Sequence, residues 1–413
     1  MLSQLLRFHV TDAHGRRARL VDVAIAGPDQ DYPPVDRLLV RGAHGLRLLP
    51  WSAITGFDRR VRLAQVADLE AGQSVSAGEW PAGVWLGRDV LDGIIINIWR
   101  RHVTVANDLW LAGNSRGLRL RAAATGPRAI LPRLTGRFYS LHARRTLYDW
   151  KYIEFLRGDP LRTETRTAEH WRIARLPAGE IAHLAGPLPY LHAAELVGRL
   201  PEALAADTLE EMPLDRQVQI FEELSDARAR AVLALMAPEV AADLLGRLDP
   251  DLARRFLNRL PRPQSERLIE LLRYPTNTVG GAMTNDIVRV PAGLTVGQAR
   301  QALRQQLTEP GFVHFLYVVD DEQHNRLRGV LSLRGLVVAE AEQVIGELMN
   351  RDLLKLAPLE AARPAAFRML ESGLAALPVV GGDGRLLGAL TVDAAMRLVA
   401  PRSWRAQVPR VFS

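Results

Sequence analysis

One short motif in this chain matches a catalytic pattern. Gly113-Asn-Ser-Arg-Gly117 has the Gly-x-Ser-x-Gly spacing of a hydrolase nucleophile. That nucleophile needs a sharp turn between a strand and a helix, but the flanking residues here predict two strands joined by a turn. The chain has no phosphate-loop, His-Glu-x-x-His or Asp-x-Asp-x-Asp-Gly motif, and no cysteine. The sequence therefore predicts a protein that is not an enzyme.

Composition indicates a globular chain of about three domains, since it has 413 residues, 48% hydrophobic and 24% charged. The longest apolar runs, such as 93–99, are far shorter than the ~20 residues that cross a bilayer, and the first ten residues do not resemble a signal peptide. We therefore expect a cytoplasmic protein without a transmembrane segment.

The formal charge of +7 has two interpretations. The first 171 residues carry 25 basic and 17 acidic side chains, which would suit a nucleic-acid or anionic surface. However, 51 of the 53 basic residues are arginine, which indicates a genome-wide codon bias. We favour the second interpretation, so nucleic acid stays an unfavoured partner.

Residues 1–135 predict β structure, because short β-branched runs alternate with glycine-rich turns. We expect two small barrels, residues 1–71 and 82–135, and a linker over 136–171. The linker carries an aromatic-basic cluster that would either stack nucleic-acid bases or form a packing hinge, and we favour the hinge. The cluster comprises Phe138, Tyr139, Arg144, Arg145, Tyr148, Trp150, Lys151, Tyr152 and Phe155.

Residues 172–274 contain a repeat of twelve residues. Leucine or methionine marks nine successive copies: Leu176, Leu188, Leu200, Met212, Leu224, Met236, Leu248, Leu260 and Leu272. Apolar residues three and four positions before each marker complete one face of a two-turn helix, and proline after five of the markers starts the next helix. Such helices are stable only when they stack, so the pattern predicts a solenoid.

Residues 275–400 predict two similar α/β halves, 275–340 and 341–400, followed by a loosely ordered tail, 401–413. Each half has a helix, a strand, an acidic or glycine turn, and a second strand and helix. The predicted helices are Thr295–Leu307 and Ala362–Ser372, and the predicted strands are Phe315–Val319, Gly329–Leu333, Ala376–Val380 and Gly388–Val392.

The repeat, the junction Arg273-Tyr-Pro275 with Thr278-Val-Gly-Gly-Ala-Met-Thr284, and the two halves together resemble the intracellular region of MgtE-type magnesium channels. That resemblance implies a right-handed helical superhelix followed by a CBS pair. Residues 1–135 resemble two PRC-barrel modules through Leu20-Val-Asp22 and Leu86–Asp92. The fold class is then multidomain α+β.

The resemblance implies that magnesium bridges acidic side chains between the superhelix and the CBS pair. Because the channel's membrane helices would follow the pair, we expect this chain not to conduct ions by itself. Interspersed arginines offer an alternative, in which these acids form ion pairs on a solvated face. The candidate ligands are Glu210, Glu211, Glu222, Glu223, Asp226, Asp243, Asp249, Asp251 and Asp286.

CBS pairs commonly bind adenine nucleotides, with a glycine, a Ser or Thr three residues later, and then an aspartate. The two motifs here read Gly329, Ser332, Gly335 and Gly388, Thr391, Ala394, so neither has the aspartate; Asp393 lies one residue early. Ser332, Thr391 and Asp393 remain weak nucleotide candidates, and we favour a structural pair.

We therefore expect a non-catalytic regulatory or scaffold protein, homodimeric through its CBS pair. The superhelix would dock on that pair in response to Mg²⁺ or another divalent cation and act on a partner such as a membrane transporter. Two alternatives stay open: an adenine-nucleotide sensor, and an RNA- or ribosome-associated adaptor acting through the basic N-terminal half.

Overall fold

The structure is a computed structural model that describes residues 1–400 except 29, 59–62, 77–78, 115–116, 127–128, 130–146, 157–171, 307–314 and 322. The tail, 401–413, and most of the predicted linker lie outside the described residues. Two compact units are present, Met1–Glu211 and Met212–Ser413. None of the described helices has the length and hydropathy of a membrane span.

The first unit opens with a helix and an eight-stranded sheet of order β5-β6-β1-β2-β3-β4-β7, with β8 paired to β2. β1 pairs in parallel with β6, and the other neighbours are antiparallel. The elements are α1 (Leu2–Leu5), β1 (His9–Asp12), β2 (Arg17–Ile25), β3 (Val35–Gly42), β4 (Gly45–Pro50), β5 (Ile54–Asp58), β6 (Leu63–Val66), β7 (Gln73–Val75) and β8 (Val84–Trp85).

Two three-stranded sheets follow, with orders β10-β9-β14 and β11-β12-β13. Their strands are β9 (Ile94–Asn97), β10 (His102–Val105), β11 (Asp108–Asn114), β12 (Gly117–Ala124), β13 (Leu147–Asp149) and β14 (Ile153–Phe155). Residues 147–155, which we predict as part of a linker, thus supply an edge strand to each sheet.

The expected closed barrels are not found among the described residues. β5 and β7 end the large sheet without pairing to each other, and β8, from the expected second barrel, pairs with β2 of the first. One hydrophobic core, which includes Leu20, Leu38, Ile95, Leu120 and Trp150, runs through both modules. The strands therefore share one core instead of closing around two.

Asp22 shows how the modules are joined. Its buried carboxylate accepts backbone N–H bonds from Val23 at 2.7 Å, Gly87 at 2.7 Å and Arg88 at 2.9 Å. A Cβ at Gly87 would lie 2.8 Å from Asp22 Oδ1, so glycine permits this approach. Burial raises the pKa of Asp22 to about 6, against the lowering effect of the three N–H donors.

The Gly113–Gly117 motif lies in the β11–β12 hairpin, where Asn114 pairs with Gly117. Gly113 has φ of 141°, and a Cβ there would lie 2.0 Å from the Gly117 carbonyl oxygen. A side chain at position 113 would therefore collide with β12, and the motif connects two paired strands, not a strand and a helix. Ser115 and Arg116 lie outside the described residues.

Eight helices carry the repeat, and their first residues are spaced by twelve from 178 to 262. The first three lie in the first unit: α2 (Ala178–Ala185), α3 (Tyr190–Arg199) and α4 (Glu202–Glu210). The other five lie in the second unit: α5 (Leu214–Glu222), α6 (Asp226–Leu235), α7 (Pro238–Leu245), α8 (Pro250–Leu257) and α9 (Arg262–Leu271).

The marker residue and the apolar residues three and four positions before it form the buried face of these helices, as predicted. Leu196, Val197 and Leu200 are fully or almost fully buried, and Phe221 packs edge-on against Phe256 at 5.2 Å between ring centres. Ile269, in the last copy, is 42% exposed instead. Each helix begins after a proline, serine, alanine or aspartate at the position that follows the marker.

The C-terminal region has two sheets, β15-β16-β17 and β18-β19, flanked by helices. Its elements are α10 (Val279–Ala282), β15 (Arg289–Pro291), α11 (Val296–Gln306), β16 (Phe315–Val319), β17 (Leu327–Ser332), α12 (Leu333–Val338), α13 (Ile345–Leu348), α14 (Ala362–Ser372), β18 (Ala376–Val380), β19 (Leu386–Thr391) and α15 (Val392–Val399). The segment that precedes the strands of each half pairs with a strand of the other half. Thr284 forms a β-bridge with Ala389, and Asn350 forms one with Val330. The two halves are thereby interlocked.

Candidate functional site at the docking joint

The segment that connects the last repeat to the CBS-like pair is closely packed. Thr278 Oγ1 donates to the Pro275 carbonyl at 2.7 Å and accepts from Gly281 N–H at 3.3 Å, which caps α10. A Cβ at Gly280 would lie 2.5 Å from the Tyr274 ring and 3.0 Å from the Pro358 carbonyl oxygen. The pattern Tyr-Pro-x-x-Thr-x-Gly therefore forms a close-packed hinge.

A first polar contact joins α9 to the residues after this hinge. Arg267 pairs with Asp286 at 2.9 Å, and about half of each side chain is exposed. Asn285, which is buried, donates from Nδ2 to the Arg267 carbonyl at 2.9 Å. The predicted ligand Asp286 is thus held by an arginine of the repeat.

A second contact joins α7 to α15. Arg397 donates to Glu239 Oε1 at 3.2 Å, and the Glu239 side chain is only 10% exposed. Asp243 lies one turn further along α7, and burial raises its pKa to about 6; the charge of Glu239 also raises it, whereas Arg397 lowers it. Glu239 therefore pairs directly with the guanidinium of Arg397, and the charge of that guanidinium also acts on Asp243.

These contacts together are called the docking joint: Arg267 with Asp286, and Glu239 and Asp243 with Arg397. Among the described residues, Glu239 Oε2 is buried without a hydrogen-bond partner. When both carboxylates of α7 are ionised, one guanidinium leaves a net charge of −1. Carboxylate oxygens are ligands of hard divalent cations, so Glu239 and Asp243 are the residues of the joint whose chemistry is compatible with magnesium.

The other predicted ligands do not gather at the joint. Asp226 pairs with Arg255 and Arg259, both at 2.9 Å, and Asp251 pairs with Arg254 at 2.9 Å. Asp249 caps α8 through N–H bonds from Asp251 and Leu252. Glu222 and Glu223 are exposed at the end of α5, and Glu210 and Glu211 lie in the first unit.

The nucleotide candidates act in helix capping. Ser332 Oγ accepts from Gly335 N–H at 3.0 Å and begins α12. Thr391 Oγ1 accepts from Ala394 N–H at 3.2 Å and begins α15, where Asp393 is exposed. Both hydroxyls thus have a structural role in this conformation.

Sequence reasoning missed Glu239 and Arg397. The spacing of Glu239 and Asp243, four residues apart, was a signal that both carboxylates share one face of a helix. Arg397 follows them by more than 150 residues and becomes their partner only in the folded chain.

A separate group of ligand-type atoms, on Asp12, His14 and Asp68, lies in the first unit within 4.8 Å. Arg16 already pairs with Asp12 at 2.6 Å and with Asp68 at 2.5 Å. Asp12 also accepts backbone N–H bonds from His14 and Arg16, so the group stabilises the turn after β1.

Short helices in a twelve-residue repeat, followed by an interlocked α/β pair, define the architecture of residues 178–399. Residues 176–277 match the MgtE intracellular N domain, and residues 279–342 and 345–401 match the CBS domain. The chain therefore contains an MgtE N domain followed by a CBS pair, both from regulatory families, as the sequence predicts.

Two curated relatives are magnesium transporters MgtE. The one from Thermus thermophilus is 37% identical over 123 residues, which cover 30% of this chain and 27% of the transporter. The one from Enterococcus faecalis is 34% identical over 124 residues, with the same two shares. The matched part thus spans about a quarter of each transporter's length.

Two solved structures are similar to this chain. The cytosolic domain of the Mg²⁺ channel MgtE in complex with ATP is 29% identical, with a TM-score of 0.52 over 55% of this chain and 92% of the other. The soluble part of a magnesium transporter is 27% identical, with a TM-score of 0.50 over 55% of this chain and 90% of the other. The resemblance thus extends from sequence to fold.

Proposed function

We propose that this chain is a non-catalytic cytoplasmic regulator in which a divalent cation controls docking of the helical repeats on the CBS pair. The observation that carries the proposal is the docking joint, where two carboxylates of α7 face a single guanidinium of α15. A divalent cation between Glu239 and Asp243 offsets the repulsion of two carboxylates that are partly desolvated by burial, and this repulsion is largest in the docked state. The cation therefore stabilises the docked state. A ligand shifts an equilibrium only through such differential affinity.

The relatives support magnesium as the cation, because they are magnesium transporters. They also support a membrane transporter as the partner on which the regulator acts. Asp226, Asp251 and Asp286 already pair with arginines, so their negative charges are balanced without a metal ion. We therefore assign the cation response to Glu239 and Asp243.

Magnesium and pH should act on the same carboxylate. The folded-state pKa of Asp243, about 6, is above its ordinary value of 3.8. Proton binding to Asp243 therefore stabilises the folded state fully below about pH 4, and this stabilisation is lost as pH rises through 6. At pH 8 we expect Asp243→Asn to raise the unfolding free energy of the second unit by up to about 3 kcal/mol. Magnesium should stabilise the wild-type protein at pH 8 and stabilise the variant much less.

Urea unfolding at pH 4.5 and 8, with and without magnesium, measures both effects. Asp215→Asn is the matched control, because Asp215 is 84% exposed and pairs with Arg247 on the surface. If magnesium stabilises the wild type and Asp243→Asn equally, the carboxylates of α7 do not hold the cation.

We further propose that two copies associate through their CBS pairs. Among the residues that the structure describes, eight of the fifteen exposed large apolar side chains lie within residues 275–400, although this region is under a third of the chain. Val337 and Val338 at the end of α12 are 68% and 76% exposed, and Phe367 on α14 is 48% exposed. An apolar surface of this kind is typical of an interface between subunits.

Light scattering after gel filtration tests the dimer. The wild type should have twice the chain mass of 45.8 kDa, and Phe367→Glu should shift the protein toward that single-chain mass. Ile269→Glu changes a similarly exposed apolar residue on α9 and should leave the dimer intact. A wild type that is monomeric at micromolar concentration would contradict the proposal.

A further inference from the structure

The outward side of the second β module carries exposed aromatic and basic side chains. Trp99, in the turn between β9 and β10, is 72% exposed, and its ring lies against that of Tyr152 at 5.4 Å between centres. Trp150 and Phe155 pack together at 6.0 Å, with Trp150 fully buried. The cluster that we predict as a hinge thus divides into a buried part and an outward-facing part.

Cations lie directly over the outward-facing rings. Lys151 Nζ is 4.7 Å from the centre of the Tyr152 ring, and Arg121 Cζ is 4.3 Å from that of Tyr32. Tyr32 donates its hydroxyl to Asp149 at 3.1 Å, and the same carboxylate accepts from the Lys151 backbone N–H at 3.2 Å, so Tyr32 and Lys151 are neighbours. Tyr32, Arg121, Lys151, Tyr152 and Trp99 therefore form one continuous surface, the aromatic-basic strip.

Positive charge continues beside the strip. Arg100 follows Trp99 and places its Cζ 5.5 Å from the Tyr148 ring centre. Arg101 pairs with Glu180 and borders a groove of about 480 Å³ that His102, His183 and apolar side chains also line. Asp149 accepts the Tyr32 hydroxyl at 3.1 Å, which leaves Arg100, Arg121 and Lys151 in excess over the acid near them.

We propose that the aromatic-basic strip binds single-stranded nucleic acid. The open face of Trp99 offers a stacking platform for a base, and the cations along the strip can contact the phosphates of the backbone. Stacking on aromatic rings is tolerant of sequence, so the expected partner is a flexible single strand. A lipid surface offers phosphates but no bases to stack on Trp99.

Fluorescence anisotropy with labelled oligonucleotides of about 12 nucleotides, oligo-uridine and oligo-thymidine, tests the proposal on the full chain. Trp99→Ala should weaken binding about tenfold. Trp110→Ala is the matched control, because Trp110 lies in the same module, is 37% exposed and is not part of the strip. The combined variant Lys151→Gln and Arg121→Gln should reduce the slope of log affinity against log salt by about 1.4, or 0.7 for each cation.

Oligonucleotide binding that weakens steeply between about 50 and 200 mM salt and depends on Trp99 supports the proposal. Equal binding by Trp99→Ala and Trp110→Ala, or no binding at low salt, overturns it. Phosphatidylglycerol vesicles serve as a second probe: vesicle binding that requires Trp99, without oligonucleotide binding, would show a membrane surface instead. None of these outcomes depends on magnesium or on the docking joint.

Discussion

Replacing Arg397 by alanine should lower the unfolding free energy of the second unit by about 2–3 kcal/mol at pH 8. The substitution removes the guanidinium that pairs with Glu239 and whose positive charge favours the ionised form of Asp243. A buried carboxylate that loses its partner keeps the cost of desolvation but loses the attraction. Urea unfolding with a probe on the helical repeats measures the change directly.

Two comparisons make this prediction specific. Arg368→Ala removes an ion pair with Glu360 in which both side chains are exposed by a third or more, so it should change stability by less than about 0.5 kcal/mol. Adding Glu239→Gln and Asp243→Asn to Arg397→Ala removes the unpaired charges and should restore much of the loss. If the triple variant is as unstable as Arg397→Ala alone, the loss comes from packing and not from charge.

Replacing Gly280 by alanine should destabilise the second unit by about 1–3 kcal/mol, because the new methyl group has no space. Its Cβ would lie 2.5 Å from the Tyr274 ring and 3.0 Å from the Pro358 carbonyl oxygen, and the backbone carbonyl cannot move aside as a flexible side chain does. The Tyr274 ring must then rotate or α10 must shift, and either change alters the angle at which the repeats meet the CBS pair.

Gly293→Ala is the matched control, because a Cβ there meets nothing within 4 Å and its φ is not positive. Thermal unfolding should therefore separate the two alanine variants by several degrees. Equal melting temperatures would mean that the junction is looser than its geometry indicates, and that the glycine of the Tyr-Pro-x-x-Thr-x-Gly pattern has no steric role.

The helical repeats were predictable because local chemistry determines them. The marker at every twelfth position and the residue after it specify where each helix ends and where the next begins, and the helix starts follow that period. The same holds for the CBS pair, where the predicted strands Phe315–Val319 and Ala376–Val380 and the helix Ala362–Ser372 have the observed bounds. The apolar period and the turn residues that determine these bounds lie within a few positions of the helix or strand concerned.

Contacts between distant residues could not be read from the sequence in the same way. The sequence shows the acidic residues of the repeats, but it does not show which of them pair with arginines of other helices. That depends on how the helices stack: Asp226, for example, pairs with Arg255 and Arg259. Whether a sheet closes into a barrel also depends on which distant strands pair. The alternating strands and turns suggested closed barrels, but β8 pairs with β2, and the result is an open sheet with a shared core.

A distance measurement between the repeats and the CBS pair tests the central claim most directly. The chain has no cysteine, so spin labels can be attached to cysteines introduced at the exposed positions Glu223 and Glu342, both in the second unit. At pH 8 we predict one narrow distance distribution with magnesium and a broader, longer one after chelation. Identical distributions in both conditions would contradict cation-controlled docking.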